Sequence, residues 1–462
     1  MKVLFLSPNV PYPPLNGGQH RNLGLIRSAA RFASVRVLAI GEPAAPRVEQ
    51  ARRHLSALGV ELEVFQPTGP GRPEQEATTD RLPDAACHFR SPELREAIRR
   101  SETDSHDLAH VEEMVMAQYL DLLACPVVVD RHKVDWAYHQ AMAAVAPAEA
   151  RVHLDEAARF RYWEGLLRGS FERILVPGAS DRALLEAVHG PGTVTVIPIG
   201  IADDLRPPSA HPGRIDHVLL YGALDYAPNV AAQRFFFDDV WPELRRCAPQ
   251  LTVRLVGSGR PPLGGPQPAD ARVEMRGYVP DLVDVLGAPG VLLVPLRVGG
   301  GARTKILEAL ACGMPIVSTA VGVENLDLVP ERDFLLAETA QEFQQAVLRL
   351  SRDPELVCRL SRRGPECAES HRWSHIEPRL EPVYRHAAAA GRRPRPAPPA
   401  EGALAASRAP AGVRARASWP VRALDRQLQR ALNILLLPSQ GSRLLELLRR
   451  RAARLLAAVF GR

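Results

Sequence analysis

At 462 residues, with 46% hydrophobic and 24% charged residues, the chain has the composition of a globular protein of two or three domains, which excludes a disordered one. No run of about 18 apolar residues occurs, so no membrane span is expected. The net charge of +6 is no sign of nucleic-acid binding: fifteen arginines against Glu401, Asp425 and Glu446 put +12 into residues 387–462 and leave the first 386 at −6.

In chain order, "MKVLFLSPNV" reads as a buried first strand rather than a signal peptide. Short apolar runs then predict strands at 3–7, 35–40, 62–65, 108–111, 127–130, 173–176 and 195–198. A second series follows at 217–221, 251–256, 273–276, 291–295 and 315–318. Phrases of helical periodicity such as "NLGLIRSAARFA" separate them, which implies parallel sheets covered on both faces. The fold expected is α/β: two doubly wound, Rossmann-like domains, 1–205 and 206–372, facing a central cleft. Ligands of such sheets bind beyond the carboxyl ends of the strands. A closing helix at 373–390 is expected to be broken by Pro378 and Pro382. Residues 391–418 read as a Pro/Ala/Arg-rich linker, and 419–462 as a basic helical tail with Leu444, Leu448, Ala452, Leu455 and Val459 on one face. The six cysteines are scattered without metal or disulfide spacing, which points to reduced thiols and a cytoplasmic protein.

The stretch "RVGGGARTKILEALACGMPIVST" carries the chemistry. Gly299, Gly300 and Gly301 let main-chain amides approach a ligand, and a helix starting near Thr304 aims its positive end at the same place. Arg303 and Lys305 add two charges, which suits a diphosphate, and Glu308 can accept hydrogen bonds from a ribose diol. The glycines alone favour an ordinary turn with solvated cations; Arg303, Lys305 and Glu308 at these offsets favour the ligand site instead. Further forward, Gly17 and Gly18 precede a helix and form a second loop at a strand end.

Residues 299–326 resemble the signature of the GT-B glycosyltransferases, in particular the retaining family 4. The likeness extends to "YGALDYAPNV…LVGSG" (221–259), "GYVPDL" (277–282) and "VTVIPIGI" (194–201), and covers residues 1 to about 386. It implies transfer of a sugar from a nucleoside-diphosphate donor, with retained configuration, no cofactor and no essential metal; no D-x-D triplet occurs in the chain. It makes the first domain the acceptor side and the second the nucleotide-sugar side. Glu308 matches the second glutamate of the family's motif, while Gly300 stands where the first would be. The donor residues it implies are Gly17, Gly18, Gly222, Asn229, Gly257, Tyr278, Val279, Gly299, Gly300, Gly301 and Thr304, with Arg303 and Lys305 neutralising phosphate. His132, in "VVVDRHKVDWAY", is the expected polar contact to the transferred sugar, with Asp130 and Asp135 in support; Glu164 and Ser180 read as structural. No general base is expected, because a departing phosphate oxygen can take the proton. The acceptor implied is a glycan or lipid-linked intermediate of polysaccharide or glycoconjugate synthesis. The tail 419–462 either lies on the anionic inner face of the cell membrane or packs on protein. The alternatives are a nucleotide-sugar epimerase of the same fold and a membrane-associated sugar-nucleotide-binding protein whose catalysis has decayed.

Overall fold

The structure, a computed structural model, describes residues 1–68, 82–102, 106–207, 213–259, 270–279, 282–301 and 303–391. Apart from Gly391, the linker and tail expected at 391–462 lie outside these residues. Among the described residues no helix is long and apolar enough to cross a membrane.

Among the described residues, thirteen strands form two all-parallel sheets. The first holds β1 (Lys2–Ser7), β2 (Ser34–Ile40), β3 (Glu61–Phe65), β4 (Leu108–Glu112), β5 (Val127–Asp130), β6 (Arg173–Val176) and β7 (Val194–Val196), in spatial order β3-β2-β1-β4-β5-β6-β7. The second holds β8 (His217–Tyr221), β9 (Thr252–Val256), β10 (Val273–Gly277), β11 (Gly290–Val294), β12 (Ile316–Ser318) and β13 (Leu335–Leu336), in order β10-β9-β8-β11-β12-β13. The reason is in the side chains. Runs such as VLFL, VVVD and GVLLV are buried on both faces, so helices must cover both sides and each crossover must be helical.

Each sheet reverses its winding once, between β1 and β4 in the first and between β8 and β11 in the second. A crevice opens at the carboxyl ends of the strands at such a point. Here the β1 end leads to the helix Gly17–Ala30, the β4 end to Glu112 and Glu113, the β8 end to Tyr221 and Gly222, and the β11 end to the triple glycine.

The chain returns to the first lobe at its end. Trp373, Ile376, Leu380, Tyr384 and Ala387 of the helix Trp373–Ala388 pack in one core with Val3, Phe5 and Leu25. Pro378 and Pro382 do not break this helix, contrary to expectation. Both prolines face solvent, while the buried stripe at positions 376, 380, 384 and 387 holds the other face against the lobe. Arg372, buried between lobes, donates to the carbonyls of Ala202, Asp203 and Leu205 and ties the two crossings together.

Candidate functional site

Every sequence-predicted site residue except Gly301 and the supporting Asp130 lines one cavity of about 970 Å³ between the lobes. Gly301 lies behind it. Its φ of +70° and its contact with the His132 carbonyl leave no room for a Cβ, so it shapes the loop rather than meeting a ligand.

Two helix N-termini meet here. Gly17 opens its helix with Asn16 as the cap, the side chain accepting from the Gln19 amide at 3.0 Å. Thr304 opens the helix Thr304–Ala311 in the other lobe. They come so close that a Cβ on Gly17 would sit 3.0 Å from Thr304 Oγ1. That hydroxyl is buried and has no hydrogen-bond partner. An orphaned hydroxyl between two positive helix ends is an arrangement an anionic ligand completes.

Around it, the second lobe buries charge without opposite charge in contact. Lys305 Nζ donates to the Tyr221 carbonyl (3.1 Å) and Asn229 Oδ1 (3.0 Å). Burial, with Arg303 nearby, pushes its ammonium down to about 7. Glu308 accepts from the Tyr221 hydroxyl at 3.2 Å, and burial pushes its carboxyl up to about 7. Arg303 has a different task from the free phosphate contact expected. Its guanidinium turns back on its own loop, donating to the carbonyls of Gly300 (2.7 Å), Gly301 and Val321 (3.4 Å), so it holds the glycine turn in place. Tyr278, more than half exposed, and Val279 stand at the cavity's edge beside Gly257.

The first lobe presents an ion cluster centred on His132. Its Nε2 faces Glu112 and, at 3.3 Å, Asp130; its Nδ1 faces Glu113 at 2.8 Å. Burial alone would lower its pKa, but Glu113 and Glu112 hold the ring protonated well above its ordinary value. Asp130 is gripped by Arg21 through two bonds of 2.7 and 2.6 Å; against the effect of burial, that cation keeps it ionised. Asp135 receives Arg131 (3.0 Å) and Lys133 (2.8 Å). Glu164 pairs with Arg131 and His189 at 2.8 Å, away from the cavity. The atoms of Glu112, Asp130 and His132 lie close enough to ligate a metal, yet Arg21 and the imidazolium already engage them.

Glu113 escaped the sequence reading. It sits at φ +62°, ψ 151°, a conformation costly for any residue with a Cβ, at the end of β4. Its Oε2 has no hydrogen-bond partner, and although burial would raise its pKa, His132 and Lys133 pull it to about 2. The signal was present as "HVEEMV", paired acids directly after an apolar strand. Also missed was Asn325, at φ +65°, whose side chain accepts from Ser180 N (3.2 Å) and Oγ (2.8 Å) and donates to Asp181 (3.0 Å), latching lobe to lobe. Ser180 is therefore part of that latch.

The vacant glutamate position has a physical occupant. A Cβ on Gly300 would lie 2.5 Å from the Lys133 Cβ, so the lysine stem fills the space a longer residue would need. The chain has three lysines, and two of them, Lys133 and Lys305, line this cavity.

Residues 216–353 match the family model for glycosyl transferases group 1. The D-inositol 3-phosphate glycosyltransferase of Saccharomonospora viridis is 34% identical over 114 residues, 24% of this chain and 26% of that protein, so the match spans about a quarter of that relative. Sucrose-phosphate synthase from Thermosynechococcus elongatus is similar in structure with a TM-score of 0.63 at 19% identity, over 85% of this chain and 100% of that one. Anabaena HepE in complex with UDP and glucose gives a TM-score of 0.60 at 17% identity, over 83% and 99%. The shared architecture is the two-lobed GT-B fold.

Proposed function

From a group 1 glycosyltransferase domain at residues 216–353 within a GT-B frame, we propose that this protein is a retaining glycosyltransferase that moves a sugar from a nucleoside-diphosphate donor to a hydroxyl acceptor. The observation that carries this reading is the pair of facing helix N-termini around the orphaned Thr304 hydroxyl, with Lys305 beside it.

The difficult part of such a reaction is the departure of a diphosphate carrying two charges. Main-chain amides at Thr304 and Gly17 and the Lys305 ammonium are fixed in place beforehand and need not reorganise as that charge develops. The ligand's charge in turn favours the protonated Lys305 that burial disfavours. Glu308 uses one oxygen on Tyr221 and keeps the other for a ribose diol. Arg303 is a positioning residue: it holds the glycine turn and so the direction of the amides. The acceptor oxygen forms its bond to the anomeric carbon as the carbon–phosphate-oxygen bond breaks on the same face. The acceptor proton passes to the departing phosphate oxygen. Glu113, acidic to about 2, is too weak a base to take that proton, and its unpartnered oxygen suits it to orienting the incoming hydroxyl. His132, kept as an imidazolium, is a positioning residue rather than the sugar contact expected: both ring nitrogens are spent on Glu112, Asp130 and Glu113, and it sets the direction of the Glu113 carboxylate.

The acceptor is a glycan or lipid-linked intermediate of polysaccharide or glycoconjugate synthesis, and the tail 419–462 brings the enzyme to an anionic membrane surface. The +12 charge of residues 387–462 and the apolar stripe of the tail support that placement. Flotation on anionic vesicles should be lost on removing residues 391–462; equal flotation of both forms refutes it. The activity is tested with a panel of UDP- and GDP-sugars, reading product configuration by NMR. Retention is expected, and Glu308→Ala should abolish transfer with the fold intact. Near-normal turnover in that variant overturns the reading.

A further inference from the structure

Resting on the glycosyl-transfer reading, we propose that the acceptor is a glycoconjugate with a flat, apolar ring system beside its reacting hydroxyl, the ring being seated in the first-lobe end of the cavity. This end is lined by Ala85, Phe89, Val115, Tyr138, His139 and Phe160.

These six residues form one wall, built by specific bonds. The Glu156 carboxylate accepts from the amides of Asp84 and Ala85, both at 3.0 Å, and so fixes the Ala85–Phe89 segment onto the helix Ala150–Leu166 that carries Phe160. Gln118 donates to the carbonyls of Ala86 and Val115, both at 2.8 Å, which joins that segment to the one following β4. His139 stacks on Phe160 with ring centroids 5.7 Å apart and planes 20° apart, and Tyr138 stands edge-on to His139 at 5.4 Å. The result is a slot with flat faces.

The charged side chains packed around it are already engaged. Lys133 is paired with Asp135, Glu156 with backbone amides, and the Arg161 guanidinium lies over the Trp136 ring at 4.6 Å. Burial, with His153 adding to it, pushes His139 down to about 4, so the imidazole is neutral, and its Nδ1 meets His153 Nδ1 at 3.0 Å. A bare sugar entering here would leave its hydroxyls short of partners, whereas a flat apolar ring covers Phe89, Val115 and Phe160 and gains the geometry aromatic pairs prefer. Val115 follows Glu113 by two residues, so the ring seat adjoins the group proposed to orient the reacting hydroxyl. At about 970 Å³ the cavity is at the upper end for small-molecule sites, large enough for donor and ring together.

The test uses the full chain and three probes that differ only in aglycone: methyl, n-octyl and 2-naphthyl β-D-glucopyranosides. Binding is read by saturation-transfer NMR with a sugar nucleotide present. The naphthyl glycoside should bind at least tenfold tighter than the methyl one. Ala85→Trp, which fills the slot, and Phe89→Ala, which removes a wall, should each erase most of that gain and leave the sugar-nucleotide-induced rise in melting temperature unchanged. Equal binding of naphthyl and methyl probes, a preference that survives Ala85→Trp, or an octyl gain matching the naphthyl one overturns the proposal. If no sugar nucleotide raises the melting temperature, it is the glycosyl-transfer reading that fails; donor binding without a ring preference sinks only this inference.

Discussion

Around His132, three carboxylates, an imidazolium and the Arg21 guanidinium satisfy one another, whereas across the cleft Lys305 and Glu308 are buried with hydrogen bonds to neutral groups alone. The pKa directions follow. In the first lobe His132, Glu113, Asp130 and Arg21 move further into their charged forms; in the second, Lys305 falls and Glu308 rises, both to about 7. The first lobe is an electrostatically finished frame. The second buries Lys305 and Glu308 without a charged group in contact with either, which suits a site for a charged donor.

The largest expected effect is at the unbalanced cation. Lys305→Met should lower kcat/KM by about 10²–10³, the scale set by removing one preorganised charge stabiliser. Its melting temperature should not fall, because a buried cation has been removed. Loss of less than tenfold in steady-state kinetics would break the contrast between the lobes.

A pH series sharpens the same contrast. Lys305 is protonated below about 7 and neutral above, so sugar-nucleotide affinity should fall as pH rises from 6 to 8.5, by up to about tenfold per pH unit. Calorimetry should show this slope in the native protein and a flat profile in Lys305→Met. Without ligand the signs oppose each other. Glu308, raised from 4.5, contributes stability at low pH that is lost as pH rises toward 7. Lys305, lowered from 10.5, costs stability that is recovered as pH rises from 7 toward that value. The joint contribution of the pair is therefore least near pH 7, and denaturant midpoints across pH 5–9 should show it.

Gly300→Glu tests whether the glycine marks decay or design. Because the Lys133 stem occupies the space, turnover should drop about tenfold, the scale of one displaced contact worth roughly 1.4 kcal/mol. A gain in activity would mean that the site tolerates the glutamate and that the packing reading is wrong. The smallest effect is expected at the latch. Asn325→Ala removes three hydrogen bonds between lobes and should raise the donor KM about three- to tenfold with kcat little changed.

Much of this architecture is legible in the residues. Among the described residues, twelve of the thirteen strands overlap the short runs that predict them; the central ones do so because a strand buried on both faces must be apolar throughout, whereas β10, VEMRG, is largely exposed. The exception, β13, is two residues long and exists through its pairing with β12, which no local pattern encodes. The glycine turn and its helix are equally local: Gly299 to Glu308 set their own geometry within three turns of chain. Arg303 was legible as a cation but not as one that binds its own loop, since the direction of a long side chain is decided by what packs around it.

Residues close together in sequence thus determined the α/β class, the two sheets, and a loop and helix with Lys305 and Glu308 on the cleft side. Contacts between distant residues decided the rest: His132 against Glu112 and Glu113, Thr304 against Gly17, Asn325 on Ser180, and the final helix on the first lobe rather than the second. The reason is physical. Periodicity and backbone preference act over a few residues, while burial and charge pairing depend on which surfaces the folded chain brings together.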